Sequence, residues 1–135
     1  MNNTNLHSWA HPILRVGLSL VVIWFGFSQL TSPSEWTNLV PSYATNLTTL
    51  SAHTLVLMNG IFEILFGLTL FLGLYTRVVA GILTLHLVHI LFTVGYNPIG
   101  VRDFGLAVAM LLCFLHGPDA WSLDTKIEKN IDIER

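Results

Sequence analysis

The residues of this chain that could do chemistry are few, and they sit in greasy surroundings. Glu63 stands alone in the run NGIFEILFGLTLFLGL, four residues after Asn59. His86 and His89 are one helical turn apart in RVVAGILTLHLVHILFTV, with Thr93 farther along the same face. Arg15 and Gln29 bracket the first apolar run, and Arg102-Asp103 opens the last. A carboxyl beside imidazoles can hold and pass protons, bind a polar ligand, or form buried hydrogen bonds. In an apolar medium an isolated carboxyl is either neutral or paired. Glu63 is therefore a structural group buffered by Arg15 or a histidine, or else a functional carboxyl. His86 and His89 have three open uses: bonding within a polar cluster, proton relay or ligand binding beside Glu63, and metal or haem ligation. The last has least behind it, because i, i+3 histidines without a third ligand do not define a site, and no metal is assigned. The catalytic candidates are thus Glu63, His86 and His89. They belong to an expected polar cluster of Arg15, Gln29, Asn59, Glu63, His86, His89 and Asp103.

The elements that must position these groups follow from composition. Of 135 residues, 53% are hydrophobic and only 10% charged, too little charge to cover a soluble domain of this size. Half of the charged residues lie in the last twelve positions, so the rest of the chain is almost bare of them. Apolar runs fall at 12–30, 54–74, 77–94 and 104–116. The last reaches a spanning length of about 102–118 only by recruiting flanking residues, since a helix needs roughly 20 residues to cross a bilayer. With no water to bond backbone amides in lipid, such runs are helices. The expected fold is all-α, a four-transmembrane-helix bundle over 1–123 with a charged cytoplasmic tail at 124–135.

Basic residues set the expected orientation. With both termini inside, Arg15, Arg77, Lys126, Lys129 and Arg135 lie on the cytoplasmic side and only Arg102 outside, which is the N-in/C-in arrangement. The connection 31–53 then lies outside, with Trp36, Leu39 and Val40 as an interfacial foot before Pro41. A cleavable signal peptide is not expected, because the first residues carry no positive charge. The net charge of −2 and the absence of a basic cluster argue against nucleic acid as a partner. One cysteine, Cys113, closes no internal disulfide and forms no C-x-x-C.

At about 100° per residue, Arg15, Ser19, Val22, Gly26 and Gln29 share one face of the first span. Asn59, Gly60, Glu63 and Gly67 do so on the second. Gly105 and Ala109 give the fourth a small-residue face suited to close packing. Arg102 and Asp103 read as an interfacial ion pair, with Asp103 also favourable at a helix N-terminus. Lipid would reject these faces, so they are expected to converge. His7, His11, His53 and His116 lie at or beyond span ends and are assigned no chemistry.

The chain resembles the DoxX family of small bacterial four-helix membrane proteins, in the wider group that includes the DoxD-type small subunit of thiosulfate:quinone oxidoreductase. The resemblance rests on Arg15 and the run to Gly26, on NGIFEILFGLTLFLGLYTR at 59–77, and on RDFGLA at 102–107. It covers roughly residues 12–118. Members commonly carry a lysine where this chain has Gln29, so a charge-dependent role at that position is missing here. The resemblance implies a bacterial inner-membrane protein linked to a membrane redox system. Its expected role is a quinone-contacting or non-catalytic subunit, at most the membrane subunit of an oxidoreductase. A quinone is the candidate cofactor, and a redox protein or a second copy of the chain the candidate partner, besides the lipid bilayer. Two other readings stay open: an oligomeric transporter of a small solute or protons, and a scaffold docking a partner through 31–53 or the tail.

Overall fold

The computed structural model describes residues 3–133, with side chains from residue 8 onward. Glu134 and Arg135 of the charged tail, and the side chain of His7, lie outside the described residues. The elements are α1 (Asn3–Thr31), α2 (Ser42–Thr48), α3 (Ala52–Leu72), α4 (Thr76–Val94), α5 (Pro98–His116) and α6 (Leu123–Ile133). Two short 3-10 turns, Pro33–Glu35 and Thr37–Leu39, lie between α1 and α2. The described residues contain no strand. Helices α1, α3, α4 and α5 are each long and apolar enough to cross a membrane. They pack as a ring in which each is antiparallel to the next. The pairs α1/α3 and α4/α5 are the intimate ones, and the two pairs meet more loosely. One end of the bundle carries α6 and the α3–α4 turn, here the tail end. The other carries the 32–51 connection, here the loop end.

Each helix turns a heptad-like row inward. α1 buries Arg15, Ser19, Val22, Gly26 and Gln29, and α3 buries Val56, Gly60, Glu63, Gly67 and Leu70. α4 contributes Thr76, Ala80, Leu83 and Leu87. Spacings that alternate between three and four residues keep such rows facing one another along a bundle. Leu, Ile, Phe and Val side chains remain exposed on the outer faces of all four helices, as lipid-facing surface requires. α5 departs from the expected face. Its buried row is Gly100, Asp103, Ala107, Met110 and Cys113, whereas Gly105 is exposed and a Cβ there would meet nothing within 4 Å. Residues two apart on a helix point about 200° apart, so turning the carboxyl of Asp103 inward turns Gly105 outward.

The tight α1/α3 contact depends on glycine. A Cβ on Gly26 would lie 2.7 Å from the Gly60 carbonyl oxygen, and one on Gly60 would lie 2.9 Å from that of Gly26. The two backbones touch there, and neither position has room for a side chain. Gly67 stands against Ile23 in the same way, at 2.8 Å.

Helix ends are built locally. Ser51 caps α3 by accepting the Thr54 N–H at 3.1 Å. Gly73 ends α3 in the left-handed region, with Gly73 N–H donating to Leu70 and Leu74 N–H to Thr69. The start of α5 is Pro98, not Arg102. Asn97 caps it by accepting from Ile99 and Gly100, so Asp103 lies a turn inside and caps nothing.

At the tail end the residues after α5 fold back and fasten the bundle. Arg15 donates from Nε to Asp119 at 2.6 Å and from Nη1 to the Leu70 and Phe71 carbonyls, which close the last turn of α3. Both charged side chains are about 3% exposed. Asp124 accepts the N–H of Tyr75, the residue that precedes α4, at 2.8 Å and that of Thr76, its first residue, at 2.7 Å, favourable chemistry for a helix N-terminus. This bond holds Tyr75 in the left-handed region, an unfavourable place for a residue with a Cβ. Ser122 packs directly on Gly73. Arg77 reaches across to the His116 carbonyl, where α5 ends.

The Asp119 carboxyl is held below its ordinary value. Burial pushes it up, but the hydrogen bond from Arg15, the Trp121 N–H, the Arg15 charge and the Ser122 backbone together outweigh burial. A carboxyl depressed on folding contributes stability above its ordinary pKa, and that contribution fades as pH falls through the folded value. Thermal unfolding in detergent should therefore show wild type losing stability as pH drops below about 3.8, with Asp119→Ala flat in that window. At neutral pH, Asp119→Ala should cost about 3 kcal/mol or more, because it strands the buried Arg15 charge. In the same assay Gly60→Leu should destabilise by at least 1–3 kcal/mol, roughly the cost of overpacking. Gly105→Ala should be neutral or stabilising by up to about 1 kcal/mol.

Candidate functional site

Midway along α3, Glu63 receives hydrogen bonds from three directions. Gln29 on α1 donates from Nε2 to Oε2 at 2.8 Å. Asn59, one turn earlier on α3, donates from Nδ2 to Oε1 at 3.1 Å and also to the Gln29 side-chain oxygen at 2.8 Å. His86 on α4 brings Nε2 to 3.2 Å from Oε1. The Asn59 bond fixes the Gln29 amide with its oxygen toward Asn59 and its nitrogen toward Glu63. The two amides thus donate to the carboxyl from α1 and α3, and the His86 ring closes the cluster from α4. His86 is further held against the Phe62 ring, centroid to centroid 4.9 Å.

Above this floor, on its loop-end side, is a chamber of about 300 Å³. Its walls come from α1, α3, α4 and α5 and are largely apolar, including Phe25, Val56, Leu87 and Ile90. The 32–51 connection roofs it with Trp36, Leu39, Val40, Pro41 and Ala44. The expected interfacial foot is thus a lid over the bundle's own cavity. Trp36 is fastened by its indole N–H to the Ser28 hydroxyl at 3.2 Å and by edge contact with Phe25. Apolar side chains at the mouth of a greasy chamber find cover there that lipid or water would otherwise provide.

His89 and Asp103 also line the chamber, nearer its rim. His89 Nε2 is hydrogen-bonded to the Tyr43 hydroxyl at 2.6 Å, tying α2 to α4, and Thr93 lies 3.4 Å from the same hydroxyl. Asp103 is buried and accepts from Arg102 Nε at 2.7 Å, while the Arg102 guanidinium lies 4.6 Å over the Phe25 ring. The sequence-level ion pair is present, but its carboxyl faces the chamber and not the surface.

Six of the seven expected cluster residues therefore meet around one cavity: Gln29, Asn59, Glu63, His86, His89 and Asp103. Arg15 does not. It bonds to α3 seven and eight residues beyond Glu63, about 10 Å along the helix, and its partner is Asp119. Of the two partners weighed for Glu63, the geometry selects His86. Asp119 and Tyr43 were missed because both lie in connections and not in spans. A signal for Asp119 existed: it is an acid in the GPDA turn, just after the span that ends beside Arg15. No comparable signal marked Tyr43. Among the described residues, no group of three or more His, Cys, Asp or Glu side chains could hold a metal ion.

No curated protein and no solved structure matches the chain. The DoxX family model matches residues 11–95, which takes in α3, α4 and the roof of the chamber, and leaves RDFGLA beyond its limit. That stretch is well over half of the protein, and this four-span membrane chain belongs to the DoxX family.

Proposed function

We propose that the protein is a quinone-contacting small subunit or accessory of a redox system in the bacterial inner membrane, working with a membrane or soluble redox partner. The observation that carries this reading is the chamber with Glu63 and His86 as its floor. Its volume is at the lower end of the range of about 300–1,000 Å³ usual for small-molecule sites, room for a ring with its tail left outside. Two carboxyls, Glu63 and Asp103, stand against one guanidinium, Arg102, and Gln29 adds no charge. That balance favours an uncharged, apolar ligand over an anion. Quinone carbonyls are acceptors that take up protons on reduction. His86 and His89 would donate to them, and Glu63 would hold a proton behind His86.

Orientation is part of the proposal. Arg15, Arg77, Lys126 and Lys129 all belong to the tail end, and Arg102 to the loop end. The positive-inside rule then puts the tail end in the cytoplasm and the chamber in the outer half of the bundle. A transporter has less support. Below the floor, the packing of Leu18, Leu83 and Met110 leaves a void of about 10 Å³, about the least that holds one water. That suits a binding site better than a conduit.

The test is binding of a short-chain quinone to protein in nanodiscs. Glu63→Gln replaces two acceptor oxygens by one and sets its amide against the Gln29 and Asn59 donors. Affinity should fall about tenfold, roughly 1.4 kcal/mol, and His86→Ala should have an effect of the same order. Equal affinity and equal coupled turnover in wild type and Glu63→Gln would remove Glu63 from the mechanism.

A further inference from the structure

The charged tail is not a frayed end. It forms α6, whose residues divide by side. At about 100° per residue, Leu123, Ile127 and Ile131 fall within roughly 80° of one another. Asp124, Glu128 and Asp132 form the neighbouring acidic row, and Lys126 and Lys129 lie on the opposite flank. No residue of α6 is buried, and Ile127 and Ile131 are about half exposed. The bundle therefore covers the apolar row only in part: Leu123 is half-buried, and Ile127 and Ile131 keep about half of their surface open.

Two features say what covers it. The start of α6 is pinned in position and rotation: Asp124 accepts from Tyr75 and Thr76, its own N–H donates to the Gly73 carbonyl, and Ser122 sits on Gly73. Because Asp124 lies beside the apolar row on the helix circumference, the side that reaches the bundle end is also the side that carries that row. The level at which α6 is pinned is marked by exposed aromatics, Trp9, Tyr75 and Trp121, with Trp9 and Trp121 edge to face at 5.7 Å. Such residues mark the headgroup level of a bilayer, and the lipid-facing surface of α1, α3, α4 and α5 continues directly to it.

We infer that α6 is an interfacial helix, lying on the bilayer with Leu123, Ile127 and Ile131 sunk at headgroup depth. Lys126 snorkels at the edge of the row, and Glu128, Lys129 and Asp132 face water. The partner is the lipid surface itself. This does not depend on the chamber binding anything, nor on which side of the membrane the tail occupies.

Nitroxide labels on single cysteines at 126, 127, 129, 131 and 132, in full-length Cys113→Ala protein in nanodiscs, read this directly. Labels at 127 and 131 should favour oxygen over a water-soluble nickel complex several-fold relative to 129 and 132. Uniform nickel access along α6 would overturn the inference, and so would protection of 127 and 131 from both reagents with spin–spin broadening, the sign of a second copy. In the native-cysteine background, Ile127→Asp with Ile131→Asp should leave thermal unfolding in detergent unchanged and speed proteolysis of the tail on liposomes several-fold. Lowered thermal stability would mean that the row packs on the bundle, and unchanged proteolysis that it does not rest on lipid; either result defeats the assignment.

Discussion

Hydrocarbon offers no hydrogen bonds, and this constraint organises the whole molecule. A carboxyl halfway along α3 has to find its donors inside the protein, and Gln29, Asn59 and His86 supply them from three helices. The rotation of α1, α3 and α4 about their axes is set in large part by that requirement. At the tail end Arg15 poses the same problem, answered by Asp119 and two α3 carbonyls. The two solutions differ in kind. One is a matched ion pair that fastens chain segments 104 residues apart. The other is a set of amide and imidazole hydrogen bonds around an acid, left open on one side to a cavity.

Glycine makes the contrast possible. Where Gly26 and Gly60 let α1 and α3 touch, no space remains between those two helices. The α1/α3 and α4/α5 pairs are each tight, and the chamber lies where the pairs meet at the loop end. A bundle of four equally close helices would have had no such room. The cavity is thus a consequence of unequal packing, and the 32–51 connection spends its aromatic and aliphatic residues on covering it.

Gln29 brings a neutral amide to the cluster, whose geometry needs no formal charge at that position. Its nitrogen reaches Glu63 from α1. The carboxyls and guanidinium around the chamber are those of Glu63, Asp103 and Arg102.

Much of the architecture was legible in the residues alone. Period and composition determine four spans, the inward row of α1, and the association of Asn59 with Glu63, because lipid penalises any other arrangement and neighbours on one helix are fixed by its pitch. The same logic misjudged α5, where Gly105 suggested a packing face and the carboxyl of Asp103 decided the rotation. It also could not choose the partner of Glu63 or of Arg15, because partners on different helices depend on depth as well as direction. Asp119 and Tyr43, in connecting segments with no periodicity, became visible only in three dimensions. Which groups must be inside is a property of the chain and its solvent; which of them meet, and where a space is left between them, is decided by how the helices pack.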